Sequence, residues 1–312
     1  MSRVQALARG LAPGIAGRFA RGRSLASALD IAVELRERGL RVDIERTPPG
    51  LDGSADDPSW RAYRDSALPE ASEALTVMER AGFAVAGGVT IAAEPVAALI
   101  PTFAQWPSSA TSGRAALRVV AEQAQEAGIP LTLSDGASVA ALVELAREFR
   151  DDGLPVALTV TAARRRAVAD CTSYDGPIRV VSGHRGSSDG SAGERFRASL
   201  EVDKSFIRCV KARLSTGLPL SVATHDARLV DIIRAVANRL RCPPGSVEYV
   251  LGLGRSPRLQ HRLVAEGEVV RIVVPYGSPW LDGLHGVDGV VTAVQAAFVR
   301  PAGLIPGNRK EG

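Results

Sequence analysis

Short apolar runs of strand length recur eight times along this chain, and amphipathic stretches of helical period separate them. The runs 40–45, 88–93, 130–135, 155–161, 178–184, 218–226, 247–251 and 269–274 read as strands. Helical patterns fall at 24–39, 66–82, 113–128, 138–149, 194–215, 227–241 and 256–267, with Ser24 as a plausible cap of the first. A strand joined to the next strand through a helix must run parallel to it, so the alternation predicts a parallel sheet covered by helices. Eight such units predict a closed (β/α)₈ barrel, read as one domain over 1–312 with a helical lead-in at about 1–39. An open doubly wound sheet is the alternative. No Gly-x-Gly-x-x-Gly stands between an early strand and its helix, which counts against it.

Composition narrows the function classes. At 312 residues and 46% hydrophobic content the chain can bury one large core. The net charge of +4 favours anionic ligands, but no basic block interleaved with aromatics predicts nucleic-acid binding, and no run is long enough to span a membrane. Cys171, Cys209 and Cys242 are odd in number and far apart, the pattern of three buried free thiols in a reducing cytoplasmic compartment. Arg3, Arg9, Arg18, Arg21 and Arg23 precede the first acid, Asp30, without the serine enrichment of a transit peptide, so a basic first helix is expected.

The most informative strand end is Ala223-Thr224-His225-Asp226. Asp226 is placed to cap the following helix, and Thr224 and His225 fall at the C-terminal rim, where barrel enzymes build their sites. His225 has two readings, a ligand-binding group or a plain rim residue. Arg179, inside the fifth strand, likewise reads as a ligand donor or as an interior arginine paired with Asp43 or Asp135. Ser221, His225 and Asp226 make no nucleophilic triad, because neighbours along one strand point apart. His184, His225, His261 and His285 have no metal-ligand spacing, and Gly252-x-Gly254-Arg255 reads as a tight turn before a phosphate loop.

From about Phe19 to Trp280 the order of these motifs resembles the proline dehydrogenase family. Arg18-Phe19-Ala20-Arg21-Gly22 resembles its lead-in. Ile178-Arg179-Val180-Val181-Ser182-Gly183 resembles its Arg-Leu-Val-Lys-Gly-Ala-Tyr strand, and Ala223-Thr224-His225-Asp226 its Ala-Thr-His-Asn. The run from Gly267 to Val274-Pro275-Tyr276-Gly277 resembles its Val-Pro-Tyr-Gly ending. The resemblance implies a distorted (β/α)₈ barrel binding FAD, with Arg179, Ser182, Thr224, His225 and Tyr276 along the cofactor. It also implies a small-molecule amine or imino-acid substrate and an electron acceptor.

The departures cluster on the substrate side. The family's last helix carries an arginine pair that holds proline's carboxylate, whereas no arginine occurs here between Arg271 and Arg300. The second-strand lysine falls near Ala92, its acidic partner near Thr132, and Ser134 stands where a glutamate is usual. Ser182 replaces a lysine, Arg185 a tyrosine, and Thr161 or a neighbour a glutamine. Arg185, Trp280 and His285, with Arg165 and Arg166, are the candidates for a replacement substrate site. Three readings follow: a flavin-dependent oxidoreductase for proline or, better, another amine or imino acid; a barrel that has lost flavin; and a non-catalytic partner subunit.

Overall fold

The computed structural model describes residues 24–46, 58–84, 87–92, 109–134, 139–154, 156–183, 195–196 and 198–277. Eight strands close into an all-parallel barrel in chain order, with β8 returning to β1, so the open sheet is excluded. In order the elements are α1 (Leu25–Glu37), β1 (Arg41–Arg46), α2 (Pro58–Arg80), β2 (Val89–Ala92), α3 (Ser109–Glu126) and β3 (Leu131–Ser134). They continue with α4 (Val139–Asp151), β4 (Ala157–Thr161), α5 (Ala167–Ser173), β5 (Ile178–Val181), α6 (Ser199–Thr216) and β6 (Leu220–Ala223). The last are α7 (Ala227–Arg239), β7 (Val247–Gly252), α8 (Pro257–Ala265) and β8 (Val269–Tyr276).

The two caps read from sequence are present. Ser24 Oγ accepts the Ser27 N–H (3.2 Å), and Asp226 Oδ1 accepts the Arg228 N–H (2.8 Å). The lead-in helix α1 packs its Leu25, Ala28, Leu29, Ala32 and Leu35 face inward, against both β1 and β8. It therefore covers the seam where the barrel closes. The basic helix expected before Ser24 lies outside the described residues. Three helices depart from the expectation. α2 begins at Pro58, because proline suits a first helical position, and it continues through Pro69. α6 begins at Ser199 rather than 194, and α5 is a short helix that the sequence pattern does not reveal. Cys171 and Cys209 are buried and unpaired as disulfides, while Cys242 is only half-buried.

Strand parity divides the barrel into an apolar exterior and a polar lumen. Val42, Ile44, Val89, Leu131, Leu133, Leu158, Val160, Val180, Val222, Tyr249, Ile272 and Val274 join the helices in one continuous core. The alternate positions carry Arg41, Asp43, Thr90, Thr132, Thr159, Arg179, Ser221, Glu248 and Arg271, all buried except the half-buried Arg41, Ser221 and Glu248. Such a lumen must satisfy itself, because unpaired buried charge is costly.

Near the N-terminal ends of the strands it does so around Glu248. Its Oε1 accepts from Arg41 Nη1 (3.0 Å) and Arg271 Nε (3.1 Å), and its Oε2 accepts from Ser221 Oγ (2.8 Å). Arg271 Nη1 also donates to the carbonyls of Val42 (3.1 Å) and Gly87 (2.6 Å). Gly88 is required beside it, since a Cβ there would lie 2.8 Å from Arg271 Nη1. Burial opposes the Glu248 charge, yet Arg271, Ser221 and Arg41 outweigh it and hold the carboxyl down to about 2, against an ordinary 4.5.

A carboxylate held this low stabilises the fold above its unfolded value and loses that contribution as pH falls from 4.5 through about 2. Glu248→Gln should lower the urea midpoint at neutral pH. It should also flatten the loss of stability below pH 4.5, as measured by urea titrations across that range.

Candidate active site at the barrel mouth

The central lumen is spanned by one ion pair. Arg179 Nη2 meets Asp43 Oδ2 at 2.5 Å, and Thr90 Oγ1 ties the two together, donating to Asp43 Oδ2 (2.8 Å) and accepting from Arg179 Nη1 (3.1 Å). Asp43 is fully buried and Arg179 is 8% exposed. The interior-pair reading of Arg179, with Asp43 as partner, is therefore what the structure contains. Two atoms of the pair, Asp43 Oδ1 and Arg179 Nε, remain buried without a hydrogen-bond partner.

Above this pair, the C-terminal strand ends form the mouth. Thr224 and His225 follow β6 directly. Thr224 is buried, and its Oγ1 accepts the Asp226 N–H (3.2 Å), which turns the chain from strand into helix. Next to His225 lies the end of β7, where Arg255 N–H closes a turn on the Gly252 carbonyl (3.0 Å). A Cβ on Gly252 would crowd Arg255 Cδ at 3.0 Å and touch His225 Nε2 at an ordinary 3.6 Å, so the glycine leaves room for the Arg255 side chain beside the imidazole. This turn bears out the tight-turn reading of Gly252-x-Gly254-Arg255. Burial and then the nearby Arg255 charge push His225 down to about 4, so the ring is neutral at physiological pH. Its Nδ1 is buried with no partner.

Ser182 follows β5, half-buried, with its carbonyl accepting the Ala163 N–H (3.1 Å). Gly183 adopts φ +91°, and any Cβ there would collide with Thr161 Cγ2 at 2.4 Å. Tyr276 ends β8 on the helix-facing parity, buried beside Val274, so its backbone and not its ring borders the mouth. Thr224, His225 and Ser182 thus stand on adjacent strands, Arg179 lies deeper, and Tyr276 is across the rim. Arg185, Trp280 and His285 lie outside the described residues. Arg165 is exposed and stacks over the Phe196 ring at 5.0 Å.

Sequence reasoning overlooked Glu45, which ends the lumen-facing series Arg41, Asp43, Glu45. The signal was available: charges at every second position of a strand in a closed barrel must point inward. A cavity of about 830 Å³ opens at the opposite, N-terminal end, lined by Arg41, Glu248, Arg271 and Ser221 among others. Barrel chemistry belongs to the other face, and this opening is the entrance to the Glu248 cluster. Among the described residues no group of His, Cys, Asp and Glu side chains could hold a metal ion, and no helix is long and apolar enough to cross a membrane.

A closed parallel barrel with polar strand ends and a lead-in helix over its seam defines the class. Its relatives give the narrower likeness. The chain is 23% identical over 155 residues to proline dehydrogenase 2 of Bacillus subtilis (strain 168), covering 49% of this chain and 50% of that protein. It is 34% identical over 80 residues to the proline dehydrogenase of Deinococcus radiodurans, 26% of each. The match thus spans about half the length of the first of these relatives. Among solved structures, proline utilization A from Bdellovibrio bacteriovorus, inactivated by N-propargylglycine, superposes with a TM-score of 0.69 at 17% identity. That superposition covers 91% of this chain and 32% of the other. A Bradyrhizobium japonicum proline utilization A mutant gives 0.59 at 16%, covering 88% and 29%. No protein-family profile matches the chain. The chain is thus similar to proline dehydrogenases in sequence over part of its length, and to proline utilization A in barrel architecture over most of it.

Removing one member of the central pair strands the other. Asp43→Ala should cost about 3–5 kcal/mol in guanidinium unfolding, and Asp43→Leu combined with Arg179→Met should recover much of it.

Proposed function

We propose that this barrel is a flavin-dependent oxidoreductase acting on a small amine or imino acid, with FAD seated at the C-terminal mouth. The observation that carries the reading is the β6–β7 corner. There a neutral, half-buried His225 presents an unpartnered Nδ1 beside a glycine turn and Arg255. A buried polar atom without a partner calls for a ligand group, and a flavin offers donors, acceptors and phosphates along its length. The likeness to proline dehydrogenases, which are flavin enzymes, supports the same choice.

His225 would hydrogen-bond the cofactor through Nδ1, Thr224 would donate its hydroxyl hydrogen, and Arg255 would offer charge to its anionic part. Ser182 and the Tyr276–Gly277 backbone would border it. A bound flavin would supply a two-electron (hydride) acceptor for oxidation of an amine to an imine, with an external electron acceptor completing the balance. The protein's share is to exclude water and orient the amine against the lumen wall. Proline is a poor candidate substrate, because the stretch from Arg271 to Arg300 has no arginine to clamp a carboxylate.

One observation favours a second reading, a barrel without flavin. Arg179 is spent on Asp43 and Thr90 and keeps only Nε unpartnered, so it offers a cofactor little.

The purified protein should be yellow, or should take up added FAD with the absorption of an oxidised flavin. His225→Ala should lose at least about tenfold in FAD affinity by fluorescence titration, the loss expected for one buried hydrogen bond. A colourless protein with no FAD affinity supports the second reading and ends the first.

A further inference from the structure

The lumen holds one titratable group that neither barrel packing nor the proposed cofactor contacts use. Glu45 shares the inward parity of Arg41 and Asp43, both of which bond across the lumen, whereas Val42 and Ile44 face the helices. It sits near the C-terminal end of β1, half-buried, and no hydrogen bond or ion pair engages its carboxylate among the described residues. Arg179, the cation that bears on it, is already claimed by Asp43. On the neighbouring strands it is in register with Thr90 of β2 and Pro275 of β8, neither of them charged.

A second observation points the same way. Asp43 Oδ1 and Thr159 Oγ1 face the same lumen, at 0% and 8% exposure, and neither has a hydrogen-bond partner. Among the described residues Arg179 Nε is the one unpartnered donor at this level, so the imbalance is one of charge: the carboxylates of Asp43 and Glu45 face the single guanidinium of Arg179, and a cationic nitrogen would supply both the missing charge and hydrogens. The electrostatics agree: burial and then the Asp43 charge push Glu45 up to about 7, with Arg179 offsetting only part. A carboxyl so raised destabilises the fold when ionised, a cost that arises as pH climbs from 4.5 through about 7 and that a bound cation would relieve.

We propose that Glu45 is the counter-ion for the ammonium group of the ligand, making the mouth of this barrel a site for protonated amines. The inference rests on the oxidoreductase reading only in calling that amine a substrate; ammonium binding itself needs no flavin.

The test compares pyrrolidine, protonated at neutral and mildly alkaline pH, with tetrahydrofuran, a neutral ring of the same size. Calorimetric titration of the purified chain, with or without FAD, should give saturable binding of pyrrolidinium and none of tetrahydrofuran. Glu45→Gln should weaken pyrrolidinium binding by about tenfold or more, as loss of one half-buried charge partner implies. Glu45→Asp, which keeps the charge, should fall between the two. In the wild-type chain, carbon NMR of the Glu45 carboxyl should show its titration moving below about 7 when pyrrolidinium is added, a shift that a packing role would not produce. This NMR readout stands even where a variant fails to fold. Absence of saturable pyrrolidinium binding, equal binding of tetrahydrofuran, unchanged binding by Glu45→Gln, or an unmoved titration would each overturn the proposal. The oxidoreductase reading fails separately, by a colourless protein that binds no FAD.

Discussion

The contact between Asp43 and Arg179 joins β1 to β5, strands on opposite walls of an eight-stranded barrel, across 136 positions of sequence. A lumen of this kind is ordinarily filled by branched apolar side chains. Here it is built from arginines, carboxylates and threonines, and its solidity depends on pairing. With Thr90 bridging them, Asp43 and Arg179 close the centre, and Glu248 with Arg41, Arg271 and Ser221 closes the N-terminal end. Each pair removes charge from water at a cost that only its partner offsets. Any ligand entering from the C-terminal face meets this locked layer as the floor of its site.

That floor determines what is left for function. Arg179 is committed downward, so the polar groups left at the rim for the proposed site are His225 beside the Gly252 turn, Thr224, Ser182, and Glu45 on the far wall. The two sides differ in character. The β6–β7 corner offers a neutral imidazole next to Arg255, suited to a large cofactor with anionic parts. The β1 side offers a carboxylate without a partner. The likeness to proline dehydrogenases covers about half of the chain in sequence, and the barrel likeness to proline utilization A covers most of it.

Much of the barrel could be read from the chain because strand and helix periods differ. All eight strands fall on apolar runs, and Ser24 and Asp226 cap their helices as their side-chain chemistry dictates. The helix Ala167–Ser173 escaped notice because seven residues span barely two turns, too few for a period to declare itself behind Arg164-Arg165-Arg166. At the site, Thr224 and His225 are legible as a strand end. The roles of Glu45 and Glu248 are not, since a charge at alternate strand positions reveals its direction only once the sheet is known to close, and its partner only from the register between strands. Arg179 could be read either as ligand donor or as interior partner, and only the position of Asp43 across the lumen decides between them.

The most direct test of the account is a crystal structure of the protein incubated with FAD. Density for the cofactor should lie at the C-terminal mouth against His225, Thr224 and the Gly252–Arg255 turn, with Arg179 still paired to Asp43 beneath it. Density in the opposite cavity beside Arg41 and Arg271, or an Arg179 drawn away from Asp43 onto the cofactor, would contradict it.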